Sequence, residues 1–147
     1  MSTLKFLAGL GGASVLTILH ETMRMTKPTD NLPRIDLVGK EALQKTATEL
    51  GHPIKSEKNL YADSLVGDLL ANAAYFSTIA TSNENLFPRA VSLGLTAGIG
   101  AISIPDKIGL DSKPVTKTTK TKVLTVGYYI AGALATALIF KAMQKTK

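Results

Sequence analysis

The sequence predicts an all-α fold, a four-helix transmembrane bundle, on two observations. Its charges are laid out unevenly: most fall between Glu21 and Asp63, between Asp106 and Lys122, and in the C-terminal tail. Between them lie four runs of Leu, Ala, Gly, Val and Ile that carry almost no charge. A soluble helix keeps a charged outer face along its length, so helices apolar on every side point to lipid rather than water. The overall figures, 45% hydrophobic and 19% charged residues, conceal this division. A soluble helical domain is the competing reading. A chain of 147 residues cannot bury four such helices all round, because each helix of a small bundle keeps an exposed face. Residues 1–147 are therefore read as a single integral membrane domain.

The predicted spans are residues 4–20, 65–81, 88–105 and 122–141. At about 1.5 Å per residue each reaches roughly 25–30 Å, the thickness of a bilayer core. The first run, with Lys5 before it, also has the layout of a signal peptide. It passes into His20-Glu21-Thr22-Met23-Arg24 with no small-x-small cleavage pattern, so it reads as an uncleaved first helix. The second contains Asp68. Asn85 is placed to cap the third, Pro88 suits its first turn and Pro105 stops it. Tyr61, Phe87, Tyr128, Tyr129 and Phe140 fall near predicted ends, where amphipathic rings favour the interface, and Lys141, Lys145 and Lys147 can snorkel from the last helix.

The first long loop holds a short amphipathic helix over residues 36–50. Val38, Ala42, Leu43, Ala47 and Leu50 share a broad face, and Glu41/Lys45 is an i,i+4 pair in the favourable order. Asp36 is its expected N-cap, and Gly51 followed by Pro53 its stop. Pro28 and Pro33 make the preceding stretch an extended connector, and the Lys-rich run at 117–122 reads as an exposed, mobile loop. Four spans put both termini on one side. Arg24, Lys27, Arg34, Lys40, Lys45, Lys55 and Lys58 in the first loop, with Lys107, Lys113, Lys117, Lys120 and Lys122 in the third, place those loops in the cytoplasm.

Small residues recur at helix-packing spacing: Gly9 and Gly12 on the first span, Gly67 on the second, Gly94 and Gly98 on the third, Gly127 on the fourth. Such spacing lets backbones approach closely in lipid, where packing rather than exclusion of water joins helices. The stretch 66–73 also resembles 126–133 in its Val-Gly, Ala and Ala positions, and Gly9-Leu10 resembles Gly94-Leu95. This weak internal repeat suggests two tandem helical hairpins related by an axis along the membrane normal.

The net charge is +6 and there is no cysteine, which excludes disulfides, thiolate metal sites and a cysteine nucleophile. The basic residues flank apolar segments and meet lipid headgroups; no nucleic-acid signature, phosphate loop, nucleophile elbow or dinucleotide fingerprint appears, so neither nucleic acid nor a cofactor is expected. One constellation stands out. Connectivity gathers His20 and Glu21 at the end of the first helix, Asp68 and Asn72 on one face of the second with Tyr75, and Tyr128 on the fourth near one mouth of the bundle. Ionisable groups inside a membrane are costly and face a bundle interior or a cavity. His20-Glu21 lacks the second histidine of a zinc-hydrolase helix, so no metal is assigned. The leading functional reading is a structural or accessory membrane protein, surrounded by lipid and packing as a homo-oligomer or within a larger membrane complex. The alternatives are a small transporter or channel with a polar site around Asp68, and a membrane-embedded enzyme using His20, Glu21 and Asp68.

Overall fold

The computed structural model describes residues 3–27 and 31–145. Pro28 and Lys147 lie outside the described residues, and with them part of the expected connector. The described chain is all-helical: α1 (Thr3–Thr26), α2 (Ile35–Glu49), α3 (Glu57–Ser77), α4 (Leu86–Ser103), a four-residue α5 (Lys113–Thr116) and α6 (Thr119–Lys145), with 3₁₀ turns at Ile79–Thr81 and Pro105–Ile108. Three of these, α1, α4 and α6, are long and apolar enough to cross a membrane. The helix built around the second predicted span, α3, is 21 residues long but carries Glu57, Lys58, Asp63 and Asp68, which sets its composition apart.

The ends of the helices follow local chemistry. The first helix runs past residue 20 because Glu21 pairs with Arg24 one turn on and Thr26 Oγ1 donates to Thr22 O. α3 starts eight residues before the expected 65, where Ser56 accepts a hydrogen bond from the Asn59 N–H as N-cap. α2 ends at Glu49, and Gly51 just beyond its cap takes a φ of 78°, the left-handed stop glycine supplies. It begins at Ile35, so Asp36 lies inside its first turn rather than at the cap. Asn85 does precede α4, but it caps through its own left-handed backbone (φ 54°) with no side-chain bond. The turn before it is held by Arg89, which donates to the carbonyls of Ile79, Ser82 and Glu84 at 3.1 Å each.

The long helices pack in the order α3–α1–α6–α4, each antiparallel to its neighbours, and α2 lies across α3 with α5 beside it. The core holds Ala73, Phe76 and Ile79 of α3 and its following turn, Ala8, Ala13 and Leu16 of α1, and Ala133 and Ala137 of α6. Around the perimeter Ile18, Val66, Leu70, Ile99 and Leu138 are each more than half exposed, so α1, α3, α4 and α6 all present apolar side chains outward.

Three expectations are corrected. Tyr128, Tyr129 and Phe140 are buried rather than at the rim, because α6 begins at Thr119 and extends to Lys145. From Thr119 the Lys-Thr-Thr-Lys-Thr-Lys run is helix rather than loop: Thr121 is buried in the first turn of α6 and donates to Asn31 O at 2.9 Å. Threonines there satisfy the helix start and tie it to the first loop. Leu50, placed on the apolar face of α2, is instead 71% exposed beyond the helix end.

Candidate functional site

The seams of the bundle explain most of the small residues. A Cβ at Gly9 would strike the backbone of Ala73 and Ser77 on α3, and one at Gly12 would strike Gly132 O and the Thr136 hydroxyl on α6. On α4, Cβ atoms at Gly94 and Gly98 would lie 2.8 Å from Ile130 Cα and 2.7 Å from Val126 Cα. Gly67 and Gly127 face open space, so they do not pack within this chain.

At the loop-side end, α1 supplies His20, Glu21 and Arg24. The start of α2 supplies Asp36, and Arg34 precedes it. His20 Nε2 lies 3.1 Å from Pro33 O and 3.6 Å from Asp36 Oδ1, while Nδ1 lies 3.2 Å from Glu21 Oε1. Every one of these partners is an acceptor, so the ring donates from whichever nitrogen carries a proton, and a ring protonated twice can donate on both sides. The Glu21 Oε1 contact is a close approach rather than an aligned hydrogen bond, for that oxygen is buried without a hydrogen-bond partner. Its other oxygen accepts from Arg24 and from the Tyr61 hydroxyl at 3.1 Å.

Arg34 holds Asp36 through a two-pronged contact, Nε to Oδ1 at 2.8 Å and Nη2 to Oδ2 at 2.7 Å. Burial alone would raise the Asp36 carboxyl; the two Arg34 hydrogen bonds and the Arg34 charge outweigh it and hold the group below the ordinary carboxylate range. Pro33 and Arg34, just before α2, close this end: Pro33 is fully buried, and the Arg34 N–H donates to Pro114 O at 2.9 Å.

His20, Glu21, Asp68 and Asn72 all border one internal void of about 20 Å³, together with Asp36. That is space for roughly one water. Four of the five sequence-predicted site residues therefore meet. The fifth, Tyr128, presents its ring edge-on to His20 at 6.3 Å between centroids, and its hydroxyl is buried with no partner. Sequence reasoning missed Arg24, Arg34, Asp36 and Tyr61. The first three had a local signal: Glu21/Arg24 at i,i+3 and Arg34-x-Asp36 at a helix start. Tyr61 had none, since only the tertiary packing of α3 on α1 brings it to Glu21.

The two carboxylates nearest His20 approach opposite nitrogens of its ring, so they cannot converge with it on a single metal ion. Among the described residues no three His, Asp or Glu side chains form such a set. As it stands, the arrangement can hold charge, a proton or a water between α1, α2 and α3. No protein-family model, curated protein or solved structure matches this chain. The fold and the site thus define a class rather than a family: an all-helical protein with three helices able to cross a membrane and a paired polar cluster at one end.

Proposed function

We propose that this is a four-pass membrane protein of structural or accessory type, assembling with itself or within a larger membrane complex. The observation that carries it is the packing. The α1–α3, α1–α6 and α4–α6 seams are closed at backbone contact by Gly9, Gly12, Gly94 and Gly98, and the polar end is occupied by mutually paired side chains rather than opening into a pore. Rigid seams and an outward apolar surface suit a component held in place by neighbours and lipid. In this reading α3 is the fourth span. Its charges sit mostly in its first two turns, at the level of the polar cluster, and Val66 and Leu70 face outward beyond them. The two Lys-rich loops are then cytoplasmic.

Two tandem hairpins, α1/α3 and α4/α6, are part of the proposal. Under the alignment of 66–73 with 126–133, Ala73 matches Ala133, and Gly9 matches Gly94. Gly9 meets Ala73 and Gly94 meets Ala133, while the matched Gly67 and Gly127 both face open space. The contacts between hairpins break the symmetry, since α1 and α6 close together and α3 and α4 do not.

Transport is the second reading, favoured by Asp68, which borders both the internal void and a lateral cleft. Reconstituted vesicles separate the two. The structural reading predicts proton and alkali-cation flux no greater than in empty vesicles, and the same for Asp68→Asn. Flux that appears with the protein and vanishes in Asp68→Asn, with assembly intact, would replace it with transport.

A further inference from the structure

Between α3 and α4 the bundle is open. The two helices meet where the Tyr75 hydroxyl of α3 donates to Leu93 O of α4 at 3.0 Å. Toward the polar end they diverge around a cleft of about 500 Å³, closed at its end by α2 and the Pro105–Val115 connection and floored by Tyr129 of α6. That volume lies within the range of small-molecule sites, roughly 300–1,000 Å³.

The lining is mostly small and apolar, and Asp68 is the one charged side chain among the described residues that line it. Its carboxylate rests against Gly39 of α2, where a Cβ would come within 2.5 Å of Oδ2. The charge that acts on it is that of another carboxylate, Asp36. Asn72 and Tyr75 follow it at i+4 and i+7, so a carboxylate, an amide and a phenol line one wall at successive turns. A carboxylate set in an apolar cleft with no basic partner among the described residues is complementary to a cation that brings its own apolar body. The Tyr129 ring adds an aromatic surface that favours such a cation.

We propose that the α3–α4 cleft binds an alkylammonium amphiphile, with its ammonium on Asp68 and its chain lying between the helices toward Tyr75. This does not depend on the structural or accessory reading.

The chain has no cysteine, so a single one reports the cleft without background. Thr96 on α4 is exposed at the cleft edge. In dodecylmaltoside micelles, decylammonium should protect Thr96→Cys from maleimide saturably, while decanoate and decanol should not. Adding Asp68→Asn should weaken that protection about tenfold, the loss of one charge-assisted contact, and Asp68→Glu should retain most of it. Gly100→Leu supplies an independent block. A Cβ there meets only the tip of Ile104 at 3.3 Å, so the added side chain fills the cleft without disturbing a seam, and protection should disappear. Equal protection by decanol, or protection unchanged in both Asp68→Asn and Gly100→Leu, would overturn the assignment.

Discussion

Replacing Gly98 by leucine tests the seam on which α4 depends. A Cβ at this position would lie 2.7 Å from Val126 Cα and 3.2 Å from Val126 Cβ. Favourable carbon contacts begin at about 3.5 Å, so the first added carbon alone asks for roughly 0.8 Å of separation. The obstacle is backbone, which cannot rotate away, so α4 as a whole must move from α6. A gap of about 0.5–1 Å forfeits a quarter to a half of the attraction at each contact it opens. Overpacking of this kind costs about 1–3 kcal/mol, and the three further carbons of leucine place Gly98→Leu at the upper end, about 3 kcal/mol. That is roughly a hundredfold in the folding equilibrium. The controls are built into the chain. Gly67 and Gly127 sit in helices and face open space, so Gly67→Ala and Gly127→Ala should be neutral or stabilising by up to about 1 kcal/mol through helix propensity. The assay is unfolding of dodecylmaltoside-solubilised protein by added dodecyl sulfate, followed by far-ultraviolet circular dichroism. A Gly98→Leu midpoint equal to wild type, or three glycine variants that shift alike, would refute the reasoning.

Two further outcomes follow from the polar end. Because the Asp36 carboxyl is held low in the folded chain, its contribution is full at neutral pH and is lost as the pH falls below the ordinary carboxylate range and through the lowered folded value. Asp36 is nearly fully buried but Arg34 is 40% exposed, which discounts the pair to about 1–3 kcal/mol. Asp36→Asn should lower the unfolding free energy at pH 7 by that amount and flatten its decline in acid; an unchanged acid profile would contradict the pairing. Tyr128→Phe removes a buried hydroxyl that has no partner, so stability should hold or rise by up to about 1 kcal/mol, as read by the same titration. A clear loss would show that the hydroxyl carries an interaction, through a bound water or ligand.

The long helices were legible because charge-free runs of this length have few alternatives to a helix in contact with lipid or with other apolar helices. α2 was legible from its periodicity and from Gly51. The meeting of His20, Glu21, Asp68 and Asn72 followed from connectivity, since the end of one helix and the beginning of the next in an antiparallel pair share a level. Other features depend on tertiary contacts that composition does not encode. Tyr128 and Tyr129 read as rim residues from distance to the end of an apolar run, but Thr119 and Thr121 extend α6 by about one turn before that run, so both rings lie further inside the helix. Gly67 and Gly127 fit the same small-residue pattern as Gly12 and Gly98; which glycines meet a backbone depends on helix rotation. The opening between α3 and α4 has no signature at all, because it depends on how separate helices pack rather than on the sequence of either one.

The four-pass arrangement rests on α3, whose composition differs from that of the other long helices, and single-cysteine labelling in sealed vesicles addresses it directly. Lys55→Cys before α3, Asn83→Cys after it and Lys120→Cys at the start of α6 are exposed positions in a chain that has no other cysteine. Four crossings predict that an impermeant maleimide labels Lys55→Cys and Lys120→Cys from one side and Asn83→Cys from the other. Labelling of Asn83→Cys from the same side as Lys55→Cys would mean that α3 does not cross, and would contradict the proposed bundle.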